Sequence, residues 1–203
     1  MKKNLTFALA LALAVSAPTA FAQAAAKAAA PAAKETLAID AAASKVAWTG
    51  RKITNKHEGG FKTFSGTIDL VEGNSEASAV TVEIDVNSIF TDSDRLVGHL
   101  KSPDFFDAAN FPKATFTSAK IRPATADPSK ATHIVTGTLE IRGQKKPVSF
   151  PATITVDKGS VTATASFKIN RKDYGMAYAG KADDLIADDV DVTFNVVAPR
   201  KKA

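Results

Sequence analysis

The chain has no cysteine among its 203 residues. That excludes disulfide staples, Cys-ligated zinc, iron–sulfur clusters, c-type haem attachment and a thiol nucleophile. Stability must come from an apolar core. Export is still compatible, because an oxidising compartment permits disulfides without requiring them. Histidine is scarce too. His57, His99 and His133 show no i,i+2 or i,i+4 spacing, so a local metal site has no support. Asp183-Asp184 and Asp188-Asp189 lack an EF-hand arrangement and read as solvated turns. His57 reads as a loop or turn residue. No Gly-x-Ser-x-Gly elbow, Ser-x-x-Lys, phosphate loop or dinucleotide fingerprint occurs. No catalytic residue, metal or cofactor is therefore expected.

Long apolar runs are also rare, and the longest is at the start. Lys2 and Lys3 precede an uncharged stretch, Leu5 to Val15, and then the small-x-small sequence Ala20-Phe21-Ala22. This is the three-part pattern of a secretory signal peptide over residues 1–22, cut after Ala22. The apolar run is short of the roughly 20 residues that a spanning helix needs. No Cys follows the cut, so a lipoprotein anchor is chemically excluded. The expected location is the periplasm. Residues 23–35 are Ala-rich and read as a disordered linker, with a helical spacer as the alternative.

The sequence pI of 9.3 suggests a basic protein, but the charge is unevenly placed. Residues 36–197 carry 19 Lys and Arg against 20 Asp and Glu. A nucleic-acid binder needs a basic stripe on its folded surface, so no nucleic-acid partner is expected. The basic tail, 199–203, is either solvated or makes a transient contact with a membrane surface.

What the chain does have is period-2 alternation. Val46, Trp48 and Gly50 alternate with polar neighbours, as do Phe64 to Leu70, Val80 to Val86, Val161 to Ile169 and Val190 to Val196. Further strands are expected over Ala114 to Ile121, His133 to Arg142 and Pro147 to Val156. Glu72-Gly73-Asn74, Asp127-Pro128, Arg142-Gly143 and Asp157-Lys158-Gly159 supply turns. About eight strands, each with one apolar face, predict an antiparallel barrel or sandwich. Small inward residues such as Gly66, Ala163 and Ala165 favour some cavity, yet an eight-stranded barrel is either filled or holds one small ligand. Asp92 to Lys101 predicts one short helix, capped by Asp92 or Ser93 and stopped by Pro103. With Phe105, Phe106 and Phe111 it forms either a lid or a plain core plug.

Three ordered segments resemble the YceI-like family. They are Leu96-Val97-Gly98-His99-Leu100-Lys101-Ser102-Pro103-Asp104-Phe105-Phe106-Asp107 with its continuation Asn110 to Phe116, then Val135 to Val148, then Phe167 to Gly175. The resemblance spans residues 36–198. It implies an extended lipocalin-like antiparallel barrel with an apolar tunnel for a polyisoprenoid or isoprenoid quinone, in a periplasmic protein. One departure is that no His precedes Ser44, and Trp48 stands where the family's strand aromatic lies.

On that reading the tunnel is lined by Trp48, Phe64, Ile68, Val82, Ile84, Phe116, Leu139, Phe150, Phe167 and Phe194, with Phe105, Phe106 and Tyr174 at its end. Arg142 and Arg171, at strand ends, would grip a polar head, or else pair with Asp173 or a turn carboxylate. The expected activity is non-catalytic binding or carriage of a long amphiphilic lipid. The competing expectation is an interaction or stress-response module with a filled barrel. Pairing into a homodimer is left open.

Overall fold

Short turns make neighbouring strands pair with each other, and most of this chain follows that rule. The computed structural model describes residues 34–124 and 131–200. Its strands are β1 (Lys34–Ala38), β2 (Lys45–Lys52), β3 (Lys56–Phe61), β4 (Phe64–Val71), β5 (Ala79–Asp85) and β6 (Ile89–Thr91). After helix α1 (Asp94–Lys101) come β7 (Lys113–Pro123), β8 (His133–Ile141), β9 (Gln144–Val156), β10 (Ser160–Asn170), β11 (Gly180–Lys181) and β12 (Asp184–Pro199). All pairings are antiparallel, in the order β1-β4-β5-β7-β8-β9-β10-β12-β2-β3-β6, with β11 on β12.

The sheet curls back on itself. The turns between β3 and β4 and between β5 and β6 are tied by Asp85 N–H to Thr63 O at 3.0 Å and Lys62 N–H to Ser88 O at 3.2 Å. Beyond β1, Ile39 N–H donates to Gly66 O at 3.0 Å and Asp40 N–H to Val197 O at 2.8 Å. These bonds join β4 to β12 across the remaining seam. The result is the expected all-β, lipocalin-like architecture with one helix.

Eight of the twelve strands carry the alternation seen in the sequence. The other four are short or lack it. β3 reads Lys-His-Glu-Gly-Gly-Phe, β6 has three residues and β11 two. β1 begins inside the segment read as linker, because Lys34 and Glu35 pair with Val71 and Leu70. The boundary at residue 199 also moves. Arg200 N–H bonds Gly159 O, and its guanidinium pairs with Glu35 at 2.9 Å and Glu72 at 3.3 Å. The signal segment, the rest of the linker, the Asp127-Pro128 turn and residues 201–203 lie outside the described residues. His57 lies in β3, not a turn, and Asp188-Asp189 lies within β12.

Helix α1 starts at Ser93, whose hydroxyl accepts the Leu96 N–H at 3.5 Å, and ends as Ser102 Oγ donates to His99 O at 2.8 Å. Phe106 N–H then bonds Leu100 O at 3.0 Å. This folds the Phe105-Phe106 pair back under the helix, across one end of the barrel.

Two glycines make room for large rings. Gly59 faces Trp48 across β2–β3, and a Cβ there would sit 2.2 Å from Phe90 O and 2.5 Å from the Trp48 ring. Gly137 in β8 lies under Phe116, with a Cβ 2.4 Å from Thr117 O and 2.7 Å from the ring. Backbone atoms cannot step aside as side chains do. Gly59→Ala is therefore expected to cost about 1–3 kcal/mol, read as a lower urea midpoint.

Candidate functional site

The inward faces of the strands leave an apolar cavity of about 270 Å³ at the helix end of the barrel. Its walls come from alternate positions: Val46, Trp48 and Gly50 of β2, Ile84 of β5, Ala114 of β7, Leu139 and Ile141 of β8, Ile169 of β10, and Ile186, Val190, Val192 and Phe194 of β12. Leu96 and Leu100 of α1, then Phe105, Phe106 and Met176, complete the lining. The single tryptophan is thus part of the wall. Its Nε1 is buried and has no hydrogen-bond partner among the described residues.

Four charged or titratable side chains touch this cavity, and each has a partner. Arg51 pairs with Asp191, which also holds Lys168 at 2.7 Å. Lys52 pairs with Asp184, and His57 Nδ1 lies 3.0 Å from Asp92. Arg171 pairs with Asp188 at 3.3 Å and donates to the carbonyls of Ala187 at 3.0 Å, Ile186 at 3.3 Å and Met176. These contacts hold the carboxylates below their usual range: Lys168 and then Arg51 on Asp191, Lys52 on Asp184, His57 on Asp92. A depressed carboxyl pKa stabilises the fold above its ordinary value and loses that effect as pH falls through the native one. Because these carboxylates are solvated, the effect is small.

A second apolar cavity of about 70 Å³ occupies the opposite half of the barrel. Four rings stand between the two. Phe150 stacks on Phe167 with centroids 4.2 Å apart, Phe116 lies 5.6 Å from Phe150, and Phe194 lies 5.7 Å from Phe167. Phe194 lines both cavities.

Of the expected lining residues, Trp48, Ile84, Phe105, Phe106, Leu139, Arg171 and Phe194 border the larger cavity. Val82, Phe116 and Phe150 border the smaller one. Phe167 borders neither and packs on Phe150. Phe64 and Ile68 are core residues, and Tyr174 is buried in the 3-10 turn Arg171–Tyr174.

Arg142 and Arg171 differ from the expected grip at a mouth. Arg142 has φ +52 in the β8–β9 turn, and its guanidinium donates to Gly175 O at 2.6 Å, away from either lining. Arg171 is only 2% exposed and all three of its nitrogens are engaged, with Asp188 rather than Asp173 as its acid. Sequence reasoning passed over Val190, Val192, Ile169 and Ile141, although they share the alternation of the residues it chose. Met176 lies in a non-alternating segment and gave no signal.

Burial, with the nearby charge of Asp173, pushes the Tyr174 phenol up to about 12. The folded state then resists ionisation more than the unfolded one. Tyr174 stabilises the fold fully below pH 10.0, and that contribution is lost as pH rises toward about 12. With Tyr178→Phe leaving one tyrosine, tyrosinate absorbance is expected to rise only near the upper value, together with unfolding.

Among the described residues no group of three or more His, Cys, Asp or Glu converges as a metal site, and no helix is long and apolar enough to cross a membrane.

A family model for the YceI-like domain matches residues 37–198. A UPF0312 protein of Pseudomonas syringae pv. tomato is 29% identical over 147 residues, covering 68% of this chain and 72% of that protein. Protein YceI of Salmonella arizonae is 37% identical over 94 residues, covering 46% of this chain and 47% of its own length. Among solved structures, BcnA of Burkholderia cenocepacia aligns with a TM-score of 0.71 at 28% identity, over 79% of this chain and 99% of that one. A polyisoprenoid binding domain from Saccharophagus degradans aligns with a TM-score of 0.62 at 18% identity, over 81% and 98%, and shares the fold. With a match over most of its length, and with the barrel, helix and capping aromatics in the order the motifs gave, the chain belongs to the YceI-like family.

Proposed function

We propose that this protein is a non-catalytic periplasmic binding or carrier protein for a long amphiphilic lipid, a polyisoprenoid or isoprenoid quinone, with its apolar part held in the barrel. The observation that carries this reading is the 270 Å³ cavity with an almost wholly apolar lining. An apolar cavity of about 150 Å³ is already enough to bind benzene. Burial of an isoprenoid tail supplies roughly 25 cal/mol per Å² before association costs. The paired state of Arg51, Lys52, His57 and Arg171 favours a neutral polar head, because an anionic head must displace an existing carboxylate. The fold shared with a polyisoprenoid binding domain is consistent with this. The signal-peptide pattern supplies the address, where such a lipid needs shelter between two membranes.

Protein purified from a periplasmic fraction and extracted with organic solvent tests the proposal. The expected result is a mature chain beginning at Gln23 and a prenyl lipid in the extract. A lipid-free protein retained in the cytoplasm contradicts it.

A further inference from the structure

The proposed lipid is long, yet the interior is divided. The layer that divides it is well placed in the sequence. Ile84, Ala114, Ile169 and Val192 border the larger cavity, and the residues two positions further along the same strands are Val82, Phe116, Phe167 and Phe194. Side chains two apart share a face, so these four form the next layer of the barrel. Val82, Phe116 and Phe194 border the smaller cavity, with Phe150 beside them. Gly137 gives up its side-chain space to the Phe116 ring, and Phe150 and Phe167 stack nearly parallel at 5°.

We infer that the rings of Phe116, Phe150, Phe167 and Phe194 form a septum that selects lipids by tail length. This rests on the lipid-binding reading of the same cavity. A polar head with its first isoprene units fits the larger chamber with the septum in place. A longer tail reaches the smaller chamber only when the rings turn aside, which costs their stacking and packing. The specificity determinant is then Phe167. It touches neither chamber but holds Phe150 against Phe194 through contacts of 4.2 and 5.7 Å.

The test uses the full mature chain and ubiquinones with two, four and eight isoprene units, read by quenching of the single Trp48. In the natural protein, each isoprene unit beyond the second is expected to raise affinity by less than the first two do. In Phe167→Ala affinity is expected to keep rising, with at least about a tenfold gain for the eight-unit quinone. Phe167→Leu, which keeps more of the core volume, is expected to show the same trend if the alanine variant folds poorly. Equal tail-length dependence in the natural protein and Phe167→Leu overturns the septum alone. Absence of quenching at every length in all proteins overturns the lipid reading, and the septum with it.

Discussion

Gly50→Leu is expected to weaken lipid binding by at least about tenfold while leaving the fold intact. Gly50 faces inward on β2, opposite Val190, and borders the larger cavity. A Cβ there would meet nothing nearer than the Trp48 ring, at 3.7 and 4.0 Å. Those are ordinary contacts, unlike the 2.2 Å collision at Gly59. Glycine is also a poor strand residue, so a branched side chain gains backbone stability there. Leucine then fills space that the tail would use. Quinone titration with a thermal melt separates the two effects. Unchanged affinity in a well-folded variant would show that the ligand lies elsewhere.

Arg171→Met is expected to destabilise the fold by at least about 3 kcal/mol. The guanidinium is buried and binds the carbonyls of Met176, Ile186 and Ala187 together with Asp188. It ties the turn after β10 to the start of β12, where Met176 and Ile186 border the cavity. Methionine keeps much of the volume but leaves three carbonyls without that donor, while Asp188, half exposed, keeps Lys172 at 2.9 Å. A buried acceptor without its donor costs about 1–3 kcal/mol. Urea unfolding with an unchanged slope measures the loss. Arg142→Met removes one exposed bond to Gly175 O and is expected to cost no more than about 1 kcal/mol. Equal effects for the two arginines would refute this assignment.

Those two arginines show where sequence reading reached its limit. Both stand at strand ends before a turn, and both read alike, as grips for a ligand head or as partners of Asp173 or a turn carboxylate. Their difference comes from β12, whose carbonyls and Asp188 surround Arg171 from 15 to 17 residues away. Nothing local in the sequence encodes that contact. The inward strand residues were legible because a half-buried strand must alternate. Trp48, Ile84, Leu139 and Phe194 follow that rule and border the larger cavity. Phe64, Ile68 and Phe167 follow it equally and border neither of the two cavities described, because alternation marks the inner face without marking where that face is packed. β3, with its Gly59-Gly60 pair, was missed for the converse reason. Its residues are chosen to fit under Trp48 and Phe90, so the strand has little apolar pattern of its own. The boundaries shifted through Arg200 and Glu35, an ion pair between the two ends of the domain.

On the proposed reading the barrel carries one amphiphilic lipid. Native mass spectrometry of the exported protein tests it most directly. A one-to-one adduct with the mass of a prenyl lipid is expected in the natural protein, strongly reduced in Gly50→Leu. An adduct-free natural protein, or one whose adduct survives unchanged in Gly50→Leu, would contradict it.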